Sequence, residues 1–100
     1  MTYLDSDASL IKSALPSDVE VPQDADYLFV LYAVLMRAKG EAVRLADVHD
    51  AWTAWKLLTS ASHESLVPFD QLEPDVQAED QPFLEAIHAA AKLRASAKGG

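Results

Sequence analysis

The chain has 100 residues, half of them hydrophobic, with no cysteine and a formal net charge of −8. This length suits a single domain with one compact core, and the apolar content is too high for a disordered chain. The absence of cysteine excludes disulfides and thiolate-bound zinc, and it favours a reducing compartment. The surplus of carboxylates disfavours direct DNA or RNA binding, because such a chain repels phosphate backbones.

The apolar residues are not arranged as a membrane segment. The longest apolar region, residues 27–36, has about half the length that a bilayer crossing requires. Residues 1–7 are acidic and contain no Lys or Arg, whereas a secretory signal peptide begins with a positively charged region. We therefore expect a cytoplasmic protein with no membrane partner.

Residues 1–23 predict a short helix followed by a polar loop. Asp5 or Ser6 can cap this helix, and Pro16 ends it because proline disfavours helical geometry at the residue before it. Asp7 falls in its first turn, where a carboxylate interacts favourably with the helix dipole. The apolar side of this helix contains Leu10, Ile11, Ala14 and Leu15.

Residues 24–59 predict the two main helices that follow. Asp24 is a suitable N-cap for a helix over residues 25–39, and Gly40 supplies the left-handed position beyond its end. Because this helix is apolar on nearly all sides, we expect it to be the central one. The next helix spans about residues 45–59.

The third helix carries the two tryptophans of the chain. Arg44 occupies its cap position, and Asp47 falls at the third helical residue, as in a capping box. Trp52 and Trp55 lie on one face by helical spacing. Each indole buries on the order of 200 Å² when it is enclosed, so we expect these rings to dominate the core.

Residues 60–80, which we call the clasp, follow neither a helical nor a strand pattern. Pro68 forces an extended conformation on Val67, and Pro74 suits the first turn of a short helix. Three apolar residues on such an irregular segment predict that it packs across the helices. The residues expected to hold the clasp are Trp52, Trp55, Leu66, Val67, Phe69 and Phe83.

The last predicted helix spans residues 81–95 and precedes a frayed tail over residues 96–100. Asp80 is its expected N-cap and a potential partner of His63. The chain as a whole, residues 1–100, therefore predicts one all-α domain. We expect a small orthogonal bundle of three main helices and a short N-terminal helix, with the irregular proline-containing clasp packed across it.

Two motifs resemble the RyR domain, the small helical repeat of ryanodine receptors that also occurs alone in bacterial and phage proteins. They are a His-x-x-Trp helical turn from His49 to Trp52 and a His-x-x-Leu-Val-Pro-aromatic segment from His63 to Phe69. Two further matching positions are Leu72 and Asp80. The Gly-Trp-x-x-Gly turn that usually separates the two motifs in RyR domains is absent. The whole chain also resembles small uncharacterised proteins of actinobacteria and their phages.

The resemblance implies a helical binding or scaffolding module without enzymatic activity. It further implies, at the level of the family, the sensing of nucleotide-derived signals. The residues that would form such a ligand site are His49, Trp52, Lys56 and His63.

The three histidines each allow a functional and a structural interpretation. His49 either faces a ligand pocket or bonds a loop carbonyl beside the core. His63 either binds an anion or a partner carboxylate, or fixes the clasp, with Asp70 or Asp80 as its partner. His88 is expected at the boundary of the core.

The sequence offers no pattern typical of a reaction centre. Glu85 and His88 are three residues apart, which is half of a di-metal pattern whose second half is missing. Ser62 and Ser65 flank His63, but no glycine-rich turn accompanies them. We therefore expect no enzyme, no metal and no cofactor.

Three functions stay open at this stage. The first is a non-catalytic protein-interaction module that binds through an exposed apolar patch. The expected patch consists of Phe29, Tyr32 and Met36. The same patch could equally form the interface of a homodimer. The second is a small-ligand sensor of the RyR type. The third is an acidic phage inhibitor of a basic host protein, which requires the carboxylates from Asp70 to Glu85 to cluster on one face. The expected partner-binding carboxylates are Asp70, Glu73, Asp75 and Glu79.

Overall fold

The protein folds as an all-helical bundle. A computed structural model of the chain describes residues 2–60 and 62–98. The α-helices are α1 (Tyr3–Ser13), α2 (Asp26–Lys39), α3 (Leu45–Lys56), α4 (Pro74–Ala78) and α5 (Gln81–Lys98). Two single-turn 3-10 helices, Gly40–Ala42 and Phe69–Gln71, lie in the connections. Within these residues there is no β-strand, and the predicted fold class is confirmed.

Helix α2 is the centre of the bundle, as its apolar composition predicts, and it contacts α1, α3 and α5. Its side chains Phe29, Tyr32 and Met36 are only 1%, 1% and 2% exposed. The prediction that these three residues form an exposed partner-binding patch is therefore wrong. A helix packed on three sides hides the large side chains that a single-sided helix would leave outside.

The ends of the early helices follow local backbone chemistry. Helix α1 begins at Tyr3, earlier than predicted, because the Asp5 carboxylate accepts the Thr2 backbone N–H at 2.8 Å. Asp24 does not cap α2: it has a φ of 56°, and Ala25 holds the cap position. Gly40 has the positive φ that was predicted at the end of α2.

The later helices depart from prediction at their C-terminal ends. Arg44 and Asp47 form the predicted cap of α3, with the Arg44 N–H 2.8 Å from the Asp47 carboxylate, but α3 ends at Lys56 rather than near residue 59. Helix α5 continues to Lys98, so the predicted tail is helical over residues 96–98, and residues 99–100 lie outside the described residues. Neither α5 nor any other described helix has the length and apolar character of a membrane span.

The Asp7 side chain connects α1 with α2 and α5, in addition to the predicted interaction with the dipole of α1. Its carboxylate is buried, accepts a hydrogen bond from the Arg37 guanidinium of α2 and lies 3.5 Å from Nε of Arg94 on α5. The Arg37 guanidinium also lies over the Tyr3 ring, 4.5 Å from its centroid. Although Tyr3 and Arg37 are exposed, the buried Asp7 carboxylate fixes α1 against the bundle through a charge-assisted hydrogen bond and an ion pair.

The tryptophans do not dominate the core. Trp52 and Trp55 are half-buried and pack at the edge of the core. Val48 and Ala51 of the same helix are buried within it. The largest fully buried side chains are Tyr32, Phe29, Ile11, Leu28, Met36, Ile87 and Val48. The Trp52 ring lies beside the clasp, 5.3 Å from the His63 ring.

Candidate functional site

The clasp is fastened to α3 by His49. Nε2 of His49 lies 2.7 Å from the carbonyl oxygen of Val67, and because a carbonyl only accepts, Nε2 carries the proton and donates it. The His49 residue is only 3% exposed, and its ring lies 6.2 Å from the Phe69 ring. The loop-carbonyl interpretation of this histidine is confirmed.

The rest of the clasp is ordered by its prolines and one glutamine. Pro68 is extended, and the Gln71 N–H donates to the Pro68 carbonyl at 2.9 Å, which closes a turn over residues 68–71. The Gln77 side-chain amide donates to the Phe69 carbonyl at 2.9 Å, and Pro74 is the first residue of α4 as predicted. The apolar clasp residues are half-buried against the bundle, which confirms that the segment packs across it.

Asp80 stands directly before α5, and its backbone carbonyl accepts the Leu84 N–H at 3.0 Å. Its carboxylate makes no hydrogen bond within the described part of the chain. The predicted side-chain pairing with His63 is therefore not formed. Nδ1 of His63 instead accepts the Ser65 backbone N–H at 3.0 Å.

Trp52 lies between two imidazoles. The His49 ring stacks on it at 5.6 Å with an interplanar angle of 18°, and the His63 ring meets it edge-on at 5.3 Å. The first histidine is fixed by its bond to the clasp, and the second by the turn in which it lies. Trp52 is consequently held in one orientation by neighbours on two segments.

These elements enclose a cleft of about 540 Å³. Its walls come from the α1–α2 connection, from α2 and α3, from the clasp with α4, and from the start of α5. Its volume lies in the range of pockets that bind small ligands. The large apolar side chains that line it are Leu28, Tyr32, Leu72, Trp52 and Phe83.

The charged groups of the cleft are acidic. Glu20, Glu64 and Glu79 are exposed at its rim, and the half-buried Asp80 lies further in. No Lys or Arg of the described residues lines it. The cleft therefore has a negative potential, which attracts cations and repels phosphate groups.

Burial changes the ionisation of two groups in the cleft. Burial raises the pKa of the Asp80 carboxyl to about 6, while nearby His49 opposes this increase and Glu79 adds to it. Burial, together with the charge of Asp80, also raises the pKa of the Tyr32 hydroxyl above its ordinary value. Tyr32 therefore keeps its proton at neutral pH, whereas Asp80 is ionised there at a cost in stability.

Asp80→Asn is expected to stabilise the protein at pH 7 and to leave it nearly unchanged at pH 4. The pKa of Asp80 rises from 3.8 to about 6 on folding, so its contribution to the free energy of unfolding falls as the pH rises through that interval. We expect a gain of about 1–2 kcal/mol at pH 7, which is less than the full shift implies because the side chain is partly solvated. Urea denaturation of both proteins at the two pH values measures it.

The control for this experiment is Asp70→Asn, on the exposed surface of the clasp. We expect a change within about 0.5 kcal/mol at either pH. A stability difference between wild type and Asp80→Asn that is the same at pH 4 and pH 7 would show that the carboxyl of Asp80 is not buried as described.

The structure brings together three of the four predicted ligand residues, His49, Trp52 and His63, whereas Lys56 lies outside the cleft lining. Among the predicted partner-binding carboxylates, Glu79 stands at the rim. The others are exposed on the clasp and α4, away from the lining: Asp70, Glu73 and Asp75.

Sequence reasoning did not place Glu20, Glu64, Tyr32 and Phe83 in the site. These residues come from four separate segments, and no spacing in the sequence connects them. The one local signal is the position of Glu64 directly after His63.

The third histidine has a structural position. Nε2 of His88 donates to the carbonyl oxygen of Val43 at 2.8 Å, which places this ring at the boundary of the core as predicted. Over the described ranges of the chain, no three side chains of His, Cys, Asp or Glu are grouped closely enough to hold a metal ion.

The fold and the cleft define a small all-helical domain with an acidic, aromatic-lined cleft. The chain belongs to the family described as Domain of unknown function (DUF7701), whose family model matches residues 2–92. This match includes every residue that lines the cleft. Comparison with curated proteins and with solved structures finds no match to the chain.

Proposed function

We propose that the protein is a non-catalytic protein-interaction module that binds its partner through the acidic cleft. The observation that carries this proposal is the cleft itself, in which fixed aromatic rings and a rim of exposed carboxylates surround a volume of about 540 Å³. Apolar surface with a polar, charged rim is the usual anatomy of a protein-binding site.

Two imidazole nitrogens of the cleft are used to hold the backbone. Nε2 of His49 donates its hydrogen to the Val67 carbonyl, so this nitrogen cannot act as a base toward the Thr53 hydroxyl, which lies 3.5 Å away. Nδ1 of His63 accepts the Ser65 N–H. These two contacts support structural roles for both nitrogens.

A sensor of the RyR type is the second candidate, because His49, Trp52 and His63 meet in one cleft. The four carboxylates there oppose a ligand with phosphate groups. A ligand of this sensor would therefore contain the base of a nucleotide and lack its phosphate groups. Because the chain resembles small proteins of actinobacteria and their phages, we also propose an accessory role in the cytoplasm of such a cell.

The acidic-inhibitor hypothesis requires the carboxylates from Asp70 to Glu85 to form one acidic face. Asp70, Glu73 and Asp75 belong to this set but not to the cleft, and all three are exposed. Binding through them would weaken steeply with salt, because exposed charges are screened by ions. Separate neutralisation of the two acidic surfaces distinguishes this hypothesis from the cleft.

Two matched variants provide the test. The cleft variant combines Glu20→Gln, Glu64→Gln and Glu79→Gln, and the clasp-surface variant combines Asp70→Asn, Glu73→Gln and Asp75→Asn. Each removes three carboxylates that are exposed in the structure, so the two variants have the same net charge. Neither is expected to unfold the protein, since surface substitutions usually change stability little.

The measurement is affinity capture from a lysate of the source cells with wild type and both variants, followed by titration of the purified captured protein. We expect a partner that binds wild type and the clasp-surface variant but loses affinity for the cleft variant. Loss with the clasp-surface variant alone would support the acidic inhibitor. Equal binding by all three would contradict the proposal, and gel filtration of each shows whether the partner is a second copy of the chain.

A further inference from the structure

We infer that the partner inserts a lysine or arginine side chain into the cleft, with its cation between the rim carboxylates and Asp80. This inference rests on the proposed function and names the chemistry of the partner. The occupant is a basic segment of a protein, and a free small amine is an alternative that the experiment below separates from it.

The first support is charge complementarity. The ion pairs of the described residues use Asp7, Asp26, Glu41 and Asp47, and none of these lines the cleft. The four carboxylates of the cleft therefore have no Lys or Arg partner among the described residues. The charge of Glu79 makes ionisation of the half-buried Asp80 less favourable, and a bound cation offsets this cost.

The second support is the hydroxyl of Tyr32. The residue is 1% exposed and lines the cleft, yet no hydrogen-bond partner of its hydroxyl occurs among the described residues. No fully enclosed side-chain oxygen or nitrogen of those residues lacks a partner. The hydroxyl must therefore keep its small remaining exposure, and the cleft is the open space that this side chain reaches. A phenol oxygen there accepts from an ammonium or guanidinium group.

The third support is the aromatic lining. Trp52, Tyr32 and Phe83 surround the same space as the carboxylates, and aromatic faces attract cations more strongly when water is excluded. The apolar residues Leu28, Leu72 and Val76 suit the hydrocarbon stem of a Lys or Arg side chain. A neutral apolar occupant would use these contacts but would leave Asp80 desolvated without compensation.

The experiment uses pools of blocked five-residue peptides with uncharged, randomised flanks. The central residue is lysine or arginine, and norleucine or citrulline replaces it in the neutral control pools. The indole N–H signal of Trp52 reports binding in ¹⁵N-edited NMR spectra of the full chain. The indole of Trp55, which does not line the cleft, serves as an internal control.

We expect the cationic pools to move the Trp52 signal in a saturable way, with little effect from the neutral pools or on Trp55. The cleft variant should weaken this binding about tenfold, as three partly exposed charge interactions together allow. The clasp-surface variant should bind within about twofold of wild type.

Three results would overturn the inference. They are equal shifts with cationic and neutral pools, no shift with any pool, and an affinity for n-butylamine as high as for the lysine pool, which would indicate a small-amine site. The capture experiment keeps the two proposals apart. If capture depends on the cleft variant but the cationic pools do not bind, the protein-binding function survives and only the cationic occupant is rejected. If capture does not depend on the cleft, both fail.

Discussion

Replacement of Phe29 by alanine is expected to lower the free energy of unfolding by about 3–5 kcal/mol. The Phe29 ring is 1% exposed, meets the Tyr32 ring edge-on at 5.5 Å and lies 6.3 Å from the Phe83 ring. Its removal leaves a cavity at the centre of the bundle. Domains of this size are stable by only about 5–15 kcal/mol, so the loss is a large part of the total. Urea denaturation followed by circular dichroism measures it.

The matched control is Tyr27→Ala on the same helix, whose ring is 54% exposed. We expect a change within about 0.5 kcal/mol, as for other surface substitutions. If Phe29→Ala were as mild as this control, the ring would lie on the surface, as the exposed-patch interpretation of the sequence requires.

Replacement of His49 by alanine is expected to cost about 2–4 kcal/mol. The Val67 carbonyl would lose its donor, which costs about 1–3 kcal/mol for a buried group, and the imidazole would no longer pack between Trp52 and Phe69. Because this hydrogen bond holds the clasp against α3, the substitution should destabilise the clasp locally as well as lower the global free energy of unfolding. Hydrogen exchange of the clasp amides should accelerate more than that of α1 and α2.

His88→Ala is the control, since His88 makes a comparable bond from its Nε2 to the Val43 carbonyl at 2.8 Å. We expect it to destabilise the protein by about 1–2 kcal/mol without a selective change in the clasp. Identical exchange patterns in the two variants would show that His49 has no special role in holding the clasp.

The order and approximate positions of the helices could be predicted because they depend on local chemistry. Gly40, Pro74 and the pair of Arg44 and Asp47 act within one turn of the chain, and the structure shows each in its expected place. Other helix ends were less accurate, including the start of α1 and the cap of α2. The termination of α3 at Lys56 is a further example.

The exposed and buried residues of α2 could not be separated from the sequence. When a helix is apolar on all sides, its sequence does not indicate which side faces the core. Val34 is 46% exposed and Met36 is 2% exposed, yet both are equally apolar choices for the core by sequence. The packing of α1, α3 and α5 around α2 decides the difference.

A small part of the candidate site was accessible from the sequence. His49, Trp52 and His63 entered through the motifs that resemble the RyR domain, and they do meet in the cleft. Glu20 and Tyr32 come from segments that carry no part of either motif. Their contribution depends on how the α1–α2 connection and α2 close the opposite wall, which only tertiary structure determines.

The docking of the clasp by His49 creates the cleft, and the protonation state of this imidazole tests it most directly. Long-range ¹H–¹⁵N NMR of the histidine rings at neutral pH should show His49 with its proton on Nε2 and a slowly exchanging N–H, because that proton is donated to Val67. His63, which is exposed, should show rapid exchange. A His49 ring that averages between tautomers and exchanges as fast as His63 would contradict the account.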